Sequence, residues 1–146
     1  MKNQDKFDGF VREKVERNES QYGAEIRAKY GDRAMDESNA RLLALDREQF
    51  QSLEEEGSAI YQAFGALCRA GESPRGEQAQ ALAARHFAFL QNYGDFYTLE
   101  VYRGLGEGYG KDERFRAFYE NIQEGLAGFV REAVVYFVEQ AEKERI

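Results

Sequence analysis

Apolar side chains recur at intervals of three and four residues along almost the whole chain, and the only proline in 146 residues is Pro74. This spacing puts apolar residues on one face of an α-helix and charged residues on the other. The pattern is strongest over residues 7–30 and 122–143. The run VVYFV at 134–138 has a strand-like composition, but it lies inside the longer helical period. The sequence therefore predicts an all-α, compact multi-helix fold of roughly six or seven helices, with residues 1–146 forming a single domain.

Capping signals divide this pattern into separate helices. Gly31 is expected to end the first helix, because glycine is the preferred residue just past a helix end. Asp46 and Gln49 have the spacing of a capping box, so a helix is expected to begin between them. Ser73 and Pro74 are expected to start the next long helix, with the serine as N-cap and the proline in the first helical position.

The glycine-rich stretch GLGEGYG at residues 104–110 is the most unusual segment of the chain. A phosphate-binding glycine loop follows a strand and opens a helix, whereas here a helix capped by Asp95 is expected to come first. Neither Lys-Ser nor Lys-Thr follows the glycines. We interpret the stretch as a helix end and turn, with Gly104 and Gly108 as candidates for close packing against a neighbouring helix. Asp112 is then expected to cap a short helix.

Charge and cysteine content exclude several classes of function. The formal net charge of −7 disfavours binding to the phosphates of DNA or RNA. The single cysteine, Cys68, has no partner for an internal disulfide, which fits a reducing compartment. The first residues are polar, and no apolar run approaches the ~20 residues of a membrane span. We expect a cytoplasmic chain that contacts neither nucleic acid nor membrane directly.

His86 is the only histidine, and it lies on the apolar face of its predicted helix. One imidazole cannot supply the three or four ligands of a zinc site. No nucleophile signature surrounds Cys68 or any serine, so we expect neither enzymatic activity nor a cofactor. Haem ligation is a weaker alternative, suggested by the globin-like length and the apolar setting of this histidine. We interpret His86 as a residue of the core or of a pocket edge.

The chain is rich in aromatic residues, with 11 Phe and 9 Tyr. Phe89 and Tyr93 end one predicted helix, and Phe96 and Tyr97 begin the next, which gathers four rings at one helix corner. Glu100 follows Phe96 by about one helical turn and is expected to face the same side. An acid among rings is either a nearby surface residue or a polar anchor for a ligand, and the sequence leaves both interpretations open.

Five stretches of the sequence together form a recognisable pattern. They are KFDGF at 6–10, RNESQYGAEIRAKYGD at 17–32, SNARLLALDREQF at 38–50, EVYRGLGEGY at 100–109 and DERFRAFYENIQEGLAGFVREAV at 112–134. These stretches resemble the TipAS-type drug-binding domain of TipA-like regulators in the MerR class. The last two are the most specific. The resemblance extends from Lys6 to about Ala141.

The resemblance implies a globin-related fold whose cleft binds bulky hydrophobic antibiotics such as thiopeptides. The chain would serve as the effector domain of a transcriptional activator or as a free-standing, drug-sequestering protein. The resemblance also implies that ligand binding orders the N-terminal helices, so we expect residues 1–31, including Tyr22, to act as a lid or mobile helix. Together with the ring cluster it predicts the ligand-binding residues Tyr61, Phe64, His86, Phe89, Tyr93, Phe96, Tyr97 and Glu100.

One departure from the family pattern bears on mechanism. The family's founding member captures thiopeptides covalently through a cysteine a few residues before the R-G-L-G turn, but the best-matching residue here is Tyr97. Cys68 lies on a different predicted helix. We therefore expect reversible binding, with Tyr97 as a stacking wall. The competing hypothesis is a protein-interaction module, homodimeric or with another partner, built on the acidic surface and the VVYFV run.

Overall fold

A computed structural model describes residues 3–109 and 111–144, with side chains from Phe7 onward. All regular structure in these ranges is helical and none of it is a strand, which confirms the predicted all-α class. The α-helices are α1 (Asn3–Asn18), α2 (Ala24–Tyr30), α3 (Asp32–Leu43), α4 (Arg47–Arg69), α5 (Glu77–Leu90), α6 (Leu99–Gly108), α7 (Glu113–Ile122) and α8 (Leu126–Glu144), with a π-helical turn at Glu19–Gly23 and a 3-10 turn at Gln91–Tyr93. Within the described ranges, no helix is both long and apolar enough to cross a membrane.

The chain divides into two compact units. The first contains the residues up to Glu55 together with Leu90–Phe96. The second contains Glu56–Phe89 together with the residues from Tyr97 onward. The first unit therefore holds α1–α3 and the beginning of α4, and the second holds the rest of α4, nearly all of α5, and α6–α8. The expectation of one ligand-binding domain over residues 1–146, with a lid over residues 1–31, stays a prediction.

The core of the first unit is built on the apolar stripe of α1. Phe7 and Val11, one helical turn apart, are buried together with Leu42 of α3. The Phe7 ring meets the Phe50 ring edge-on, with 5.8 Å between centroids. Phe10 is 63% exposed, so it lies off this buried stripe.

The predicted first helix is helical throughout but contains the π turn between α1 and α2. Gly23 is buried at the end of that turn, and a Cβ there would lie 1.6 Å from the Glu19 Oε2 atom. Glycine thus leaves the room in which the Glu19 side chain folds back along the backbone. Gly31 ends α2 with a φ of 92°, as predicted, because this region of φ favours glycine.

The capping box at the start of α4 is confirmed. The Asp46 N–H donates to Gln49 Oε1 at 2.9 Å, and the Gln49 N–H donates to Asp46 Oδ1 at 2.8 Å. These reciprocal bonds satisfy backbone donors that no helical carbonyl reaches.

The predicted start of the next helix at Ser73 and Pro74 is wrong, because α5 begins at Glu77. The Ser73 Oγ atom accepts from the Arg75 N–H at 3.1 Å, and the Ser73 carbonyl accepts from the Gly76 N–H at 3.0 Å. The serine therefore closes a local turn before the helix instead of capping it, which is a common alternative for this residue type.

The expected cap at Asp95 is also wrong. Thr98 caps α6, since its Oγ1 accepts from the Val101 N–H at 3.3 Å. Asp95 instead accepts from Arg41 at 2.8 Å. The cap at Asp112 is confirmed, because its carboxylate accepts from the Arg114 N–H at 3.0 Å.

The glycine-rich stretch contains the predicted helix end and turn, because α6 ends at Gly108 and the Tyr109 N–H then donates to the Gly106 carbonyl at 3.2 Å. The close contact with a neighbouring helix is made by Gly106, where an added Cβ would lie 2.6 Å from Val134 Cγ1. Gly104 is exposed, and a Cβ on Gly108 would meet nothing within 4 Å. A glycine of this stretch does pack closely against a neighbouring helix, as predicted, but it is Gly106 and not Gly104 or Gly108.

The second unit is organised around α8. This helix begins at Leu126 rather than near residue 122, because Gly125 adopts a φ of 86° just before it. Its buried face carries Leu126, Ala127, Phe129, Val130, Ala133, Val134 and Val138. Helix α6 packs against this face, which explains why α6 needs a small residue at its point of closest approach.

Candidate functional site

A buried histidine stands at the centre of the aromatic residues of the second unit. His86 is fully buried on α5. Its Nδ1 lies 2.8 Å from the Tyr102 hydroxyl, and that hydroxyl donates to the Ala83 carbonyl at 3.1 Å. A neutral imidazole has one N–H donor and one acceptor nitrogen, so the tautomer of His86 sets the direction of its bond to Tyr102.

The second nitrogen of the imidazole faces another tyrosine. His86 Nε2 lies 3.5 Å from the Tyr61 hydroxyl, which is long for a hydrogen bond. Burial lowers the pKa of His86 to about 4, so the ring is neutral at physiological pH. Both nitrogens thus face tyrosine hydroxyls, and a haem iron would reach His86 only by displacing one of them.

Besides Tyr61, three tyrosines that the sequence analysis did not single out lie in the same aromatic region as His86. Tyr102, Tyr109 and Tyr119 are all buried. Burial raises the pKa of each of them, so their hydroxyls stay protonated and act as neutral hydrogen-bonding groups. The ring centroids of Tyr109 and Tyr119 lie 5.0 Å apart, and those of Tyr61 and Tyr119 lie 5.9 Å apart.

We call Tyr61, His86, Tyr102, Tyr109 and Tyr119 the tyrosine cluster. It brings residues from α4, α5, α6 and α7, with Tyr109 directly after α6, into one aromatic region that carries polar groups inside an apolar shell. This combination suits a site that binds a large, mainly apolar molecule and orients it with a few hydrogen bonds.

The structure brings together the predicted residues Tyr61, Phe64 and His86. Their ring centroids lie 5.5 Å (Tyr61–His86) and 5.9 Å (Phe64–His86) apart. Phe64 is fully buried, whereas Tyr61 is half-buried and so lies nearer to solvent. Tyr97 is half-buried, and its hydroxyl contributes, after burial and Tyr61, to the raised pKa of Tyr109.

Phe89 and Glu100 also belong to the second unit but differ in exposure. Phe89 is 7% exposed and covers Gly57, where a Cβ would lie 2.8 Å from the Phe89 ring. Glu100 is exposed in the first turn of α6. Its interpretation as a surface residue and as a ligand anchor both remain predictions.

The other predicted residues, Tyr93, Phe96 and Tyr22, belong to the first unit. Tyr93 packs against that unit's core, and its ring centroid lies 5.6 Å from Lys14 Nζ. The Phe96 ring lies 5.8 Å from the Tyr30 ring. Tyr22 is half-buried in the π turn. The four-ring corner is therefore distributed two and two over the units, and its role stays a prediction.

Sequence reasoning missed Tyr102, Tyr109, Tyr119 and the exposed ring of Phe118. The burial of Tyr109 could have been predicted, because it is the only aromatic side chain in the glycine-rich stretch at residues 104–110. Nothing in the sequence marks Tyr102 as the partner of His86, because 16 residues separate them and the contact depends on how α5 and α6 pack.

Metal binding and thiol chemistry find little support in the described part of the chain. No group of three His, Cys, Asp or Glu side chains there is placed to hold a metal ion. Cys68 lies on α4, and burial raises the pKa of its thiol, which disfavours the reactive thiolate.

Comparison with known proteins agrees with the resemblance seen in the sequence. The family model of the TipAS antibiotic-recognition domain matches residues 22–137. The HTH-type transcriptional activator mta of Bacillus subtilis is 31% identical over 145 residues, which cover 99% of this chain and 56% of that protein. The HTH-type transcriptional activator TipA of Streptomyces coelicolor is 31% identical over 117 residues, which cover 79% of this chain and 46% of that protein. The chain thus spans about half the length of these curated relatives.

A solved structure is similar over most of the chain. It is TipAS of Streptomyces lividans in complex with nosiheptide, described as part of a thiopeptide antibiotic multidrug resistance system. The match has a TM-score of 0.70 at 29% identity and covers 84% of this chain and 87% of that one. Fold, family model and relatives agree, and the chain belongs to the TipAS antibiotic-recognition domain family.

Proposed function

We propose that this chain binds bulky hydrophobic or aromatic antibiotic-like molecules, thiopeptides among them, without chemical turnover. The observation that carries the proposal is the match to TipAS, whose solved structure holds nosiheptide. The tyrosine cluster supports it, because large apolar ligands are bound by aromatic walls with a few polar groups between them.

The ligand-contacting residues that we propose are those that the sequence predicted. They are Tyr61, Phe64, His86, Phe89, Tyr93, Phe96, Tyr97 and Glu100, with Tyr22 in a lid formed by residues 1–31. Phe64, His86 and Phe89 are buried, whereas Tyr61 and Tyr97 are half-buried and lie nearer to solvent.

Binding is proposed to be reversible. Covalent capture requires a thiolate near the ligand, and by the resemblance Tyr97 best matches the position of the reactive cysteine in the family's founding member. The only cysteine in the sequence, Cys68, is partly buried, and its Sγ lies 3.8 Å from the Glu124 carbonyl, to which it donates. Desolvation raises the pKa of this thiol and reduces its nucleophilic form at neutral pH.

The biological setting that we propose is transcriptional control or drug sequestration in the cytoplasm. The relatives are HTH-type transcriptional activators, and the chain spans the part of them that matches an antibiotic-recognition domain. With a net charge of −7, the chain itself is not suited to bind DNA. The family match favours a small-molecule ligand over the alternative of a dedicated interaction or dimerisation module.

A thermal-shift measurement with nosiheptide, followed by denaturing mass spectrometry, tests this proposal. Ligand at 100 times its Kd adds about 2.7 kcal/mol of stability. For a chain of 146 residues this raises Tm by roughly 5–10 °C. Reversible binding leaves the mass of the denatured chain unchanged. An unchanged Tm with nosiheptide and other thiopeptides would contradict drug binding, and an adduct that survives denaturation would contradict reversibility alone.

A further inference from the structure

The segment that joins α5 to α6 is bound by polar side chains of α3. It begins with the 3-10 turn Gln91–Tyr93, and residues 94–98 lie outside the helices. Such a segment makes no regular ladder of backbone hydrogen bonds, so its conformation depends on bonds from other elements. Two of the proposed ligand-contacting residues, Tyr93 and Phe96, belong to this segment. Whatever fixes its conformation therefore also fixes the position of their rings.

Arg41 of α3 joins the two ends of the turn formed by residues 91–96. Its Nη1 donates to the Gln91 carbonyl at 3.1 Å, and its Nη2 donates to Asp95 Oδ1 at 2.8 Å. The same Nη2 donates to Glu37 Oε1, also at 2.8 Å, one helical turn earlier on α3. A guanidinium is a planar fork with several N–H donors, so a single arginine can bind all three acceptors in fixed directions.

Glu37 adds a second bond from α3 to the backbone of the turn. Its Oε1 accepts from the Asp95 N–H at 3.2 Å as well as from Arg41. The Asp95 side chain is 87% exposed, so its ion pair with Arg41 contributes little by itself. The bonds to the Gln91 carbonyl and to the Asp95 N–H are charge-assisted and act on the backbone directly. We call Glu37 and Arg41 the α3 clamp.

The ring of Phe96 lies against the clamped backbone. Gly94 is buried, and a Cβ there would lie 2.9 Å from Phe96 Cδ1 and 4.0 Å from Glu37 Oε1. The centroid of the Tyr30 ring lies 5.8 Å from that of Phe96. The clamp, the glycine and the ring are thus immediate neighbours, and a shift of the turn would move the ring.

We propose that Glu37 and Arg41 are positioning residues for ligand binding, which hold the turn so that the rings of Tyr93 and Phe96 are in place before an aromatic group of the ligand arrives. The α3 clamp rests on the proposed function and deepens it, because it assigns a role to two charged residues that do not themselves contact the ligand. Rings that are ordered in advance lose less conformational entropy on binding, and the ligand is bound more tightly.

Arg41→Ala tests the clamp through the affinity for nosiheptide. The freed turn must then be ordered during binding, so the affinity should fall about threefold to tenfold. Arg33→Ala is the control, because Arg33 is an exposed arginine of the same helix and its loss changes the net charge equally. Arg41→Lys keeps the charge but not the fork, so it should bind as weakly as Arg41→Ala. Binding by Arg41→Lys at the affinity of the unaltered chain would overturn the role of the fork.

NMR spectra of the free chain distinguish positioning from a general loss of structure. The ring signals of Phe96 should shift in Arg41→Ala and stay in place in Arg33→Ala. Phe118, on α7 of the other unit, serves as a reference whose ring signals should not move. An unmoved Phe96 ring in Arg41→Ala, or an equal shift of Phe118, would contradict the positioning role.

The nosiheptide measurements also separate the clamp from the function on which it rests. No binding by the unaltered chain would refute both. Equally tight binding by the unaltered chain and by Arg41→Ala would refute the clamp and leave the function standing. The same loss in Arg33→Ala as in Arg41→Ala would identify charge as the cause and would also refute the clamp. A loss confined to the Arg41 variants supports it.

Discussion

Substitution of Gly106 by alanine tests the contact on which the second unit is built. A Cβ at this position of α6 would lie 2.6 Å from Val134 Cγ1 and 2.9 Å from Val134 Cβ. Rotation of the valine side chain can move Cγ1 away, but it cannot move Cβ, which the backbone of α8 fixes in place. Relief therefore requires that α6 and α8 separate.

The size of the effect follows from two opposing contributions. Carbon atoms attract best at about 3.5–4.0 Å, so the helices must separate by roughly 0.6 Å at this point. Overpacking of a core in this way costs about 1–3 kcal/mol. Replacing glycine by alanine within a helix raises the free energy of unfolding by about 1 kcal/mol, because alanine has the higher helix propensity. We expect Gly106→Ala to lower the free energy of unfolding by about 1 kcal/mol.

Gly108 in the same helix provides a matched control. A Cβ at Gly108 meets nothing within 4 Å, and neither glycine has a positive φ. Gly108→Ala should therefore raise the free energy of unfolding by about 0.5–1 kcal/mol. Since urea m-values are about 1–3 kcal/mol/M, the unfolding midpoints of the two variants should differ by about 1 M. Equal stabilisation by both alanines would refute the reasoning about the α6–α8 contact.

Two further predictions concern titration and ion pairing. His86 binds a proton with a pKa near 6.5 when unfolded but near 4 when folded, so the free energy of unfolding should fall by about 2 kcal/mol from pH 7 to pH 5. His86→Gln should flatten that slope, measured by urea unfolding, and an unchanged slope would contradict the assignment. Arg27 pairs with Glu19, Asp32 and Asp36, so Arg27→Ala should speed amide hydrogen exchange across the π turn at low salt. Lys29→Ala is its control on the same helix, and equal exchange in the two variants would contradict a role for the Arg27 ion pairs.

The parts of the fold that the sequence predicted well depend on local interactions. The helical period of α1 and the capping box before α4 involve residues within one or two turns of each other, and both are confirmed. The end of α2 at Gly31 is equally local, because it follows from the φ that this position adopts. Such features depend on sequence spacing alone, so a single sequence is enough to find them.

The sequence-based predictions failed where two local arrangements compete or where a residue distant in sequence determines which contact forms. Ser73 can cap a helix or close a turn with its own neighbours, and the turn forms. Asp95 lost its capping role to Thr98, while Arg41, 54 residues away, pairs with its carboxylate. Among the glycines of α6, only the position of Val134 on another helix selects Gly106 for the close contact. Spacing along the chain contains no information about these partners.

The hydrogen bonds of the tyrosine cluster meet at one buried imidazole. His86 Nδ1 lies 2.8 Å from the Tyr102 hydroxyl on α6, and Nε2 lies 3.5 Å from the Tyr61 hydroxyl on α4. Because burial lowers the pKa of His86 to about 4, the neutral ring is a donor to one tyrosine and an acceptor from the other. A substitution at His86 should therefore disturb hydrogen bonds on α4 and α6 together, although the residue itself is fully buried.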